Sequence, residues 1–223
     1  MSVKDSIKKI PVLYWIGVTI NKLREQLHPV KGLNNQVVIK GNPYRLKKSI
    51  IGNDNLVEIG FSTLIEAYIR IRGNGNRLII EDGCIIGPEC SFWLEGNNNQ
   101  IIIGKNTTMN SRCHFNAQEH NTSIIVGEDC MFSYTINVRT SDSHPIYNSE
   151  GERINPAKSV IIGRHVWIAP NSVVMKGAEI GDGSIIGSHS LVNKMIPDNT
   201  LAVGMPAKVV KEAVSWERED ILN

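Results

Sequence analysis

From Ile162 to Val192 an aliphatic residue stands at every sixth position: Ile162, Ile168, Val174, Ile180, Ile186 and Val192. Four residues after each of the first five comes a short or small side chain: Val166, Ser172, Ala178, Ser184, Ser190. The residue directly after each aliphatic is minimal or short (Gly163, Ala169, Gly181, Gly187, Asn193), with Met175 the exception. Neither a helical period of 3.6 nor a strand period of 2 produces this pattern. A strict period of six, three sixes closing one triangular coil, predicts an all-β solenoid. Each aliphatic points into a narrow prism, the small residue fits beside it, and glycine turns the corner at low steric cost.

The same phase runs backwards with breaks. Val126, Phe132 and Val138 make one coil; Ile103, Met109 and Phe115 another; Ile80, Ile86 and Phe92 a third; Ile59, Ile65 and Ile71 a fourth. Between the triplets lie related insertions: GLNNQVVI from Gly32, GNDNLVEI from Gly52, GNGNRLII from Gly73 and GNNNQIII from Gly96. Asn and Gly tolerate left-handed backbone, so each string reads as an elongated turn into the next strand. Asn stacked on Asn in adjacent coils would form a hydrogen-bonded ladder; turns of this kind also suit the edge of a carbohydrate groove. Cys84, Cys90, Cys113 and Cys130 each fall four residues after an inward position, where a small apolar side chain is wanted. Their spacing is no disulfide framework and holds no CxxC, which points to core thiols in a reducing, cytoplasmic setting.

The 223 residues, 41% hydrophobic and only 6% aromatic, suit one elongated domain with a thin aliphatic core. A net charge of +2 with mixed signs argues against a nucleic-acid partner. The apolar run from Ile10 to Ile20 follows Lys4, Lys8 and Lys9, but its eleven residues are too few to span a bilayer. It reads as part of a helical cap over 1–31, weak membrane-surface attachment being the alternative. The solenoid then covers 32–211, and 212–223 reads as a short polar helix.

Regularity fails once on a large scale. After Val138 the phase resumes only at Ile162, and the intervening loop 139–159 is polar, rich in turn residues and contains His144 followed by Pro145. A long excursion from a repeat scaffold is where functional groups are mounted. A neutral imidazole at the root of such a loop suits proton removal near neutral pH. A lone histidine equally serves to satisfy a loop backbone group.

From about Ile103 to Lys211 the chain resembles the hexapeptide-repeat O-acetyltransferases that modify sugars, above all those of capsule, O-antigen and other bacterial surface polysaccharides. The strings that carry the likeness are SDSHPI (Ser141–Ile146), INPAKSVIIGRHVWIAPNSVV (Ile154–Val174) and NKMIPDNTLAVGMPAKVVKE (Asn193–Glu212). The resemblance implies a left-handed parallel β-helix that uses acetyl-CoA and no metal, and works as a homotrimer with sites shared between chains. It implies that His144 is the base that deprotonates a sugar hydroxyl and that Trp167 walls the acetyl donor. Asn116 falls near the family's acceptor-binding asparagine. Asp142, two residues before His144, is placed either to orient the ring or to meet the acceptor; as a plain loop acid it would be solvated.

By the same resemblance the donor lies in the groove between C-terminal coils. Ala169, Gly187 and Ser188 would meet the pantetheine arm, and Lys194, Lys208 and Lys211 the phosphates. The acceptor alternatives are a free sugar or an antibiotic. A zinc hydratase on the same solenoid would need three converging histidines, and His28, His114, His120, His144, His165 and His189 contain no such pattern. A non-catalytic scaffold would have no use for the SDSHPI loop.

Overall fold

The computed structural model describes residues 29–41 and 43–219. Its strands stack into three eight-stranded sheets that form the sides of a triangular prism. Sheet A holds Val30–Lys31, Lys47–Ile51, Tyr68–Arg72, Ser91–Asn97, His114–His120, Asn137–Arg139, Val173–Val174 and Leu191–Val192. Sheet B holds Gln36–Ile39, Leu56–Ile59, Arg77–Ile80, Gln100–Ile103, Ser123–Val126, Val160–Ile162, Glu179–Ile180 and Met195–Ile196. Sheet C holds Thr63–Leu64, Ile85–Ile86, Thr108–Met109, Met131–Phe132, Trp167–Ile168, Ile185–Ile186, Leu201–Val203 and Lys208–Lys211. The chain visits A, B and C in turn, and each strand pairs in parallel with its counterpart one coil away. Among the described strands of the three sheets, only the closing strand, Lys208–Lys211, runs antiparallel.

The prism interior is the aliphatic column the period predicts. Ile162, Ile168, Val174, Ile180, Ile186 and Val192 are all buried, as are Val166, Ser172, Ala178, Ser184 and Ser190 beside them. Phe92 stacks on Phe115 at 5.6 Å between centroids, and Phe115 meets Phe132 edge to face at 5.4 Å. All four cysteines are buried and free.

The A–B corner carries the asparagine ladder. Asn55 donates to Asn35 (2.9 Å) and Asn76 to Asn55 (3.1 Å). Asn76 Oδ1 then accepts from the Asn99 backbone (3.0 Å), Asn99 Oδ1 from the Thr122 hydroxyl (3.0 Å), and Thr122 meets Thr140 (3.1 Å). The glycines beside it have a steric reason: at Gly32, Gly52 and Gly73, with φ of +115°, +130° and +125°, a Cβ would sit 1.8–1.9 Å from the next glycine's carbonyl oxygen. The strings that look alike in sequence are therefore one stacked column.

Two expectations are corrected. Ile65 is not inward: Leu64 is fully buried and pairs with Ile86, whereas Ile65 is exposed and bridges Tyr44. A tight turn, in which Ser62 N–H donates to the Gly60 carbonyl (2.9 Å), uses one residue fewer than six. The polar helix over 212–223 is absent from its described part, 212–219. There Trp216 stacks on His165 (4.0 Å, 8°) and donates to its carbonyl (2.8 Å). Arg218 reaches Asp129, Thr108 and the carbonyls of Asn106 and Cys130. Contacts spread over several coils require extended chain, because a helix advances only about 1.5 Å per residue. The helical cap falls on residues outside the described part except at its end, where Val30–Lys31 is already a strand paired with Ile50–Ile51.

Candidate active site

The loop leaves the A–B corner after Arg139 and rejoins at Val160. Its core is Asn155, which is buried. The Asn155 amide donates to the His144 carbonyl (2.9 Å) and to the Asp142 carboxylate (2.9 Å), while its Oδ1 accepts from the Ile146 backbone (2.7 Å). Lys176, one coil above, donates to Asp142 and to the Asn155 carbonyl (3.0 Å). The Lys176 ammonium, followed by the Asn155 amide, holds the Asp142 carboxyl below its ordinary range. Asp142 is thus neither a solvated acid nor paired with the His144 ring; it anchors the backbone that presents His144. The imidazole of His144 itself is exposed.

A second anchor lies beneath. Arg153 grips Glu119 with two hydrogen bonds (2.8 and 2.7 Å), and the Ser141 hydroxyl donates to the same carboxylate (2.7 Å). The Arg153 guanidinium, more than any other neighbour, lowers the Glu119 carboxyl to about 2. Glu119 pairs in register with Gly96, at the point where the glycine column ends. Ser143 donates to Gln118 (2.8 Å) and Gln118 to Glu95 (2.9 Å). Sequence reasoning passed over Asn155, Lys176, Glu119 and Arg153. The only sequence signal was Asn155 inside a string already quoted for its likeness.

Trp167 stands half-exposed on the outer face of sheet C, in register with Met131 and Ile185. Its indole N–H points toward Ser133 Oγ at 3.5 Å, and Trp216 of the tail tilts against it at 6.1 Å. Adjoining Ser133 is a cavity of about 360 Å³ lined by Ile85, Pro88, Thr108, Asn110, Met131 and Phe132 among others. A mainly apolar groove on one sheet face suits an extended flexible arm better than a charged group.

The A–B corner is the edge opposite sheet C. His144 and Trp167 therefore sit on opposite sides of one chain's prism. The other expected residues divide similarly. Ala169 and Gly187 stack at the corner after sheet C, where the Ala169 N–H donates to the Ile186 carbonyl (2.8 Å) and a Cβ on Gly187 would meet Val203 at 2.6 Å. Ser188 is exposed beside them, and Lys208 and Lys211 are exposed on the closing strand of the same sheet. Lys194 lies elsewhere, exposed between the last strands of A and B. Asn116 is on sheet A, in a cavity of about 300 Å³ with Ser91, Trp93, His114, Asn137 and Arg139. Asp142 is not among its lining residues. Among the described residues no three His, Cys, Asp or Glu side chains converge as metal ligands, and no helix is long and apolar enough to cross a membrane.

Comparison with known proteins places this geometry. A family described as bacterial transferase hexapeptide (six repeats) matches residues 159–194. The polysialic acid O-acetyltransferase of Neisseria meningitidis is 34% identical over 205 residues, 86% of this chain and 90% of that protein. Among solved structures, the polysialic acid O-acetyltransferase OatWY superposes with a TM-score of 0.76 at 36% identity, over 85% of this chain and 90% of that one. The polySia-specific acetyltransferase NeuO gives 0.75 at 30% identity, over 86% and 82%.

Proposed function

The chain belongs to the hexapeptide-repeat O-acetyltransferases, and on that premise we propose that it transfers an acetyl group from acetyl-CoA to a hydroxyl of a bacterial surface polysaccharide. His144 is the base: its imidazole takes the hydroxyl proton as the sugar oxygen attacks the thioester carbonyl, and the thiolate leaves as coenzyme A once protonated. Trp167 and the sheet C groove hold the donor, with Lys208 and Lys211 toward its phosphates. Lys194, exposed on the A–B edge with His144, would face the donor of the neighbouring copy in a trimer.

One observation carries the arrangement. His144 projects from the A–B edge and Trp167 from the opposite side, so a single chain cannot bring base and donor wall together without a partner. A trimer, in which the A–B edge of one copy faces sheet C of the next, joins them. The rigid anchoring of the His144 backbone by Asn155 supports a positioned base and not a loose loop residue.

The test is subunit complementation. His144→Ala should lower turnover by about 10²–10⁴-fold while the fold persists, and Trp167→Ala should also be severely impaired. Mixed under subunit exchange, the two should regain a minority of wild-type activity, at interfaces with one intact residue from each parent. Exchange without recovery means that both residues serve one chain's site.

A further inference from the structure

Buried polar side-chain atoms almost always find partners. Among the described residues five are buried without one: Arg70 Nε, Trp93 Nε1, Asn116 Oδ1, Asn137 Oδ1 and Arg139 Nε. They are not scattered. Arg70, Trp93, Asn116 and Arg139 form one outward row up sheet A in strict register, and Asn137 stands in the row beside it. Four of the five belong to residues that line the 300 Å³ cavity. Each such atom costs stability unless something from outside completes it.

The unmet groups describe what is missing. Asn116 and Asn137 offer two acceptor oxygens, which suit hydroxyl donors. Trp93 offers a donor N–H and an aromatic surface, the usual platform for the C–H face of a sugar ring. Arg139 offers a guanidinium donor and the one formal charge in the lining, and it has no ion-pair partner among the described residues. The neighbouring cation is committed: Arg70 pairs with Glu95 (3.1 Å) and lies over the Trp93 ring at 5.0 Å. His114 is tied to Ser91 (2.8 Å), and burial holds its pKa below the ordinary value, so it adds hydrogen bonding without charge. Asp142, the carboxylate nearest in sequence to Arg139, is occupied by Lys176 and Asn155.

We propose that this pocket is an acceptor subsite for a carboxylate-bearing sugar unit, in which Arg139 takes the carboxylate, Asn116 and Asn137 take hydroxyls, and the ring packs on Trp93. It rests on the transferase reading only for calling the bound glycan an acceptor. Arg139 is the last strand residue before the loop that carries His144, so a glycan seated here runs past the base of the same chain. Asn116, Asn137, Trp93 and Arg139 are then specificity-determining residues: they select an acidic over a neutral polymer and do not touch the transferred acetyl group.

The experiment measures equilibrium binding of two acidic probes, a sialic acid oligosaccharide and an oligouronate, to the full-length protein by calorimetry. Each is compared with its carboxyl-reduced form. Wild type should bind at least one acidic probe about tenfold more tightly than its reduced form, and Arg139→Gln should erase that difference while Arg139→Lys restores part of it. Trp93→Phe should weaken acidic and reduced probes alike, a readout that remains should Arg139→Gln not fold. Equal binding of acidic and reduced forms by wild type, or an unchanged preference in folded Arg139→Gln, overturns the proposal, as does absence of binding by either probe. Binding needs no turnover, so the two readings fail separately. An Arg139-dependent carboxylate preference without acetyl transfer sinks the enzymatic reading alone, and transfer indifferent to the carboxylate sinks this one.

Discussion

Above and below the His144 loop the same three-sided coil is built with different lengths of chain. Above it, Ile162 pairs with Ile180 and Val174 with Val192, 18 residues per coil, and the sheet A strands are two residues long. Below it, Ile59 pairs with Ile80 after 21 residues and Ile80 with Ile103 after 23. The additional residues lengthen the strands of sheet A to five in Tyr68–Arg72 and to seven in Ser91–Asn97 and His114–His120. A two-residue strand shows one side chain outward, whereas a seven-residue strand shows a row. The wide coils thus supply a surface on which Trp93 and Asn116 sit in register with His114 beside them, while the narrow coils supply a tight corner at Ala169 and Gly187. One half is shaped to read a polymer and the other to hold a slender donor.

The two halves should respond differently to the same mutation, most of all at glycine. Gly73→Ala would push a Cβ to 1.9 Å from the Gly96 carbonyl oxygen at a φ of +125°. Neither backbone can yield without breaking the column, so a loss of about 4 kcal/mol or more is expected. In the narrow half, Gly187→Ala would meet only Val203 Cγ1 at 2.6 Å, at an ordinary φ. That side chain can rotate, and about 1 kcal/mol should suffice. Urea midpoints measure both. Similar losses would mean that the wide corners are no more rigid than the narrow ones.

The next effect tests the phase within the wide half. Leu64→Ala should cost about 2–5 kcal/mol, as for other buried leucines, and Ile65→Ala well under 1. The reverse ranking would restore the six-residue spacing that the sequence suggests. This misassignment shows where the chain was legible. The period of six registers side-chain direction only while each corner uses the same number of residues, and the Gly60–Ser62 turn breaks that without any change in composition. The asparagine ladder was readable because four strings repeat a steric requirement. The pocket on sheet A was not. Trp93, Asn116 and Arg139 follow one another at intervals of 23 residues along the chain, on three different strands, and only register makes them neighbours. His144 was visible as an interruption, yet Asn155 and Lys176, which hold its backbone, look like ordinary polar residues of a loop and a corner.

Smaller again is the contrast between corner fillings. Asn76 is fully buried, donates to Asn55 and to the Gly96 carbonyl (2.9 Å), and accepts from Asn99. Asn76→Ala would leave those groups dry, at a cost of about 1–3 kcal/mol. Ser184 holds the corresponding kind of place in the narrow half, donating to the Pro197 carbonyl (2.6 Å). The repeat already accommodates Ala178 at that position, so Ser184→Ala should stay near 1 kcal/mol or below. Should Ser184→Ala prove the worse of the two by calorimetry, the wide coils are not held by their ladder.

The smallest effect is expected where the halves join. Glu119 stands where the glycine column ends, and its carboxylate anchors the loop through Arg153 and Ser141. Its folded pKa of about 2 lies below the ordinary value of a glutamate carboxyl, so the ionised form is favoured in the folded state. The stabilisation is therefore fully present above the unfolded value and is lost as pH falls through the folded one. Both partners are partly exposed, with side-chain accessibilities of 36% and 27%, so screening holds the net contribution to about 1 kcal/mol or less. Between pH 5 and pH 2 the amides from Ser143 to Ile154 should lose hydrogen-exchange protection before the strands of either half do. Glu119→Gln should show the loosened loop already at pH 7, with the further loss on acidification limited to the Asp142 anchor. If that variant and wild type lose protection in step over the same interval, the anchor is Asn155 with Lys176 alone, and the loop belongs mechanically to the narrow coils above it and not to the wide ones below.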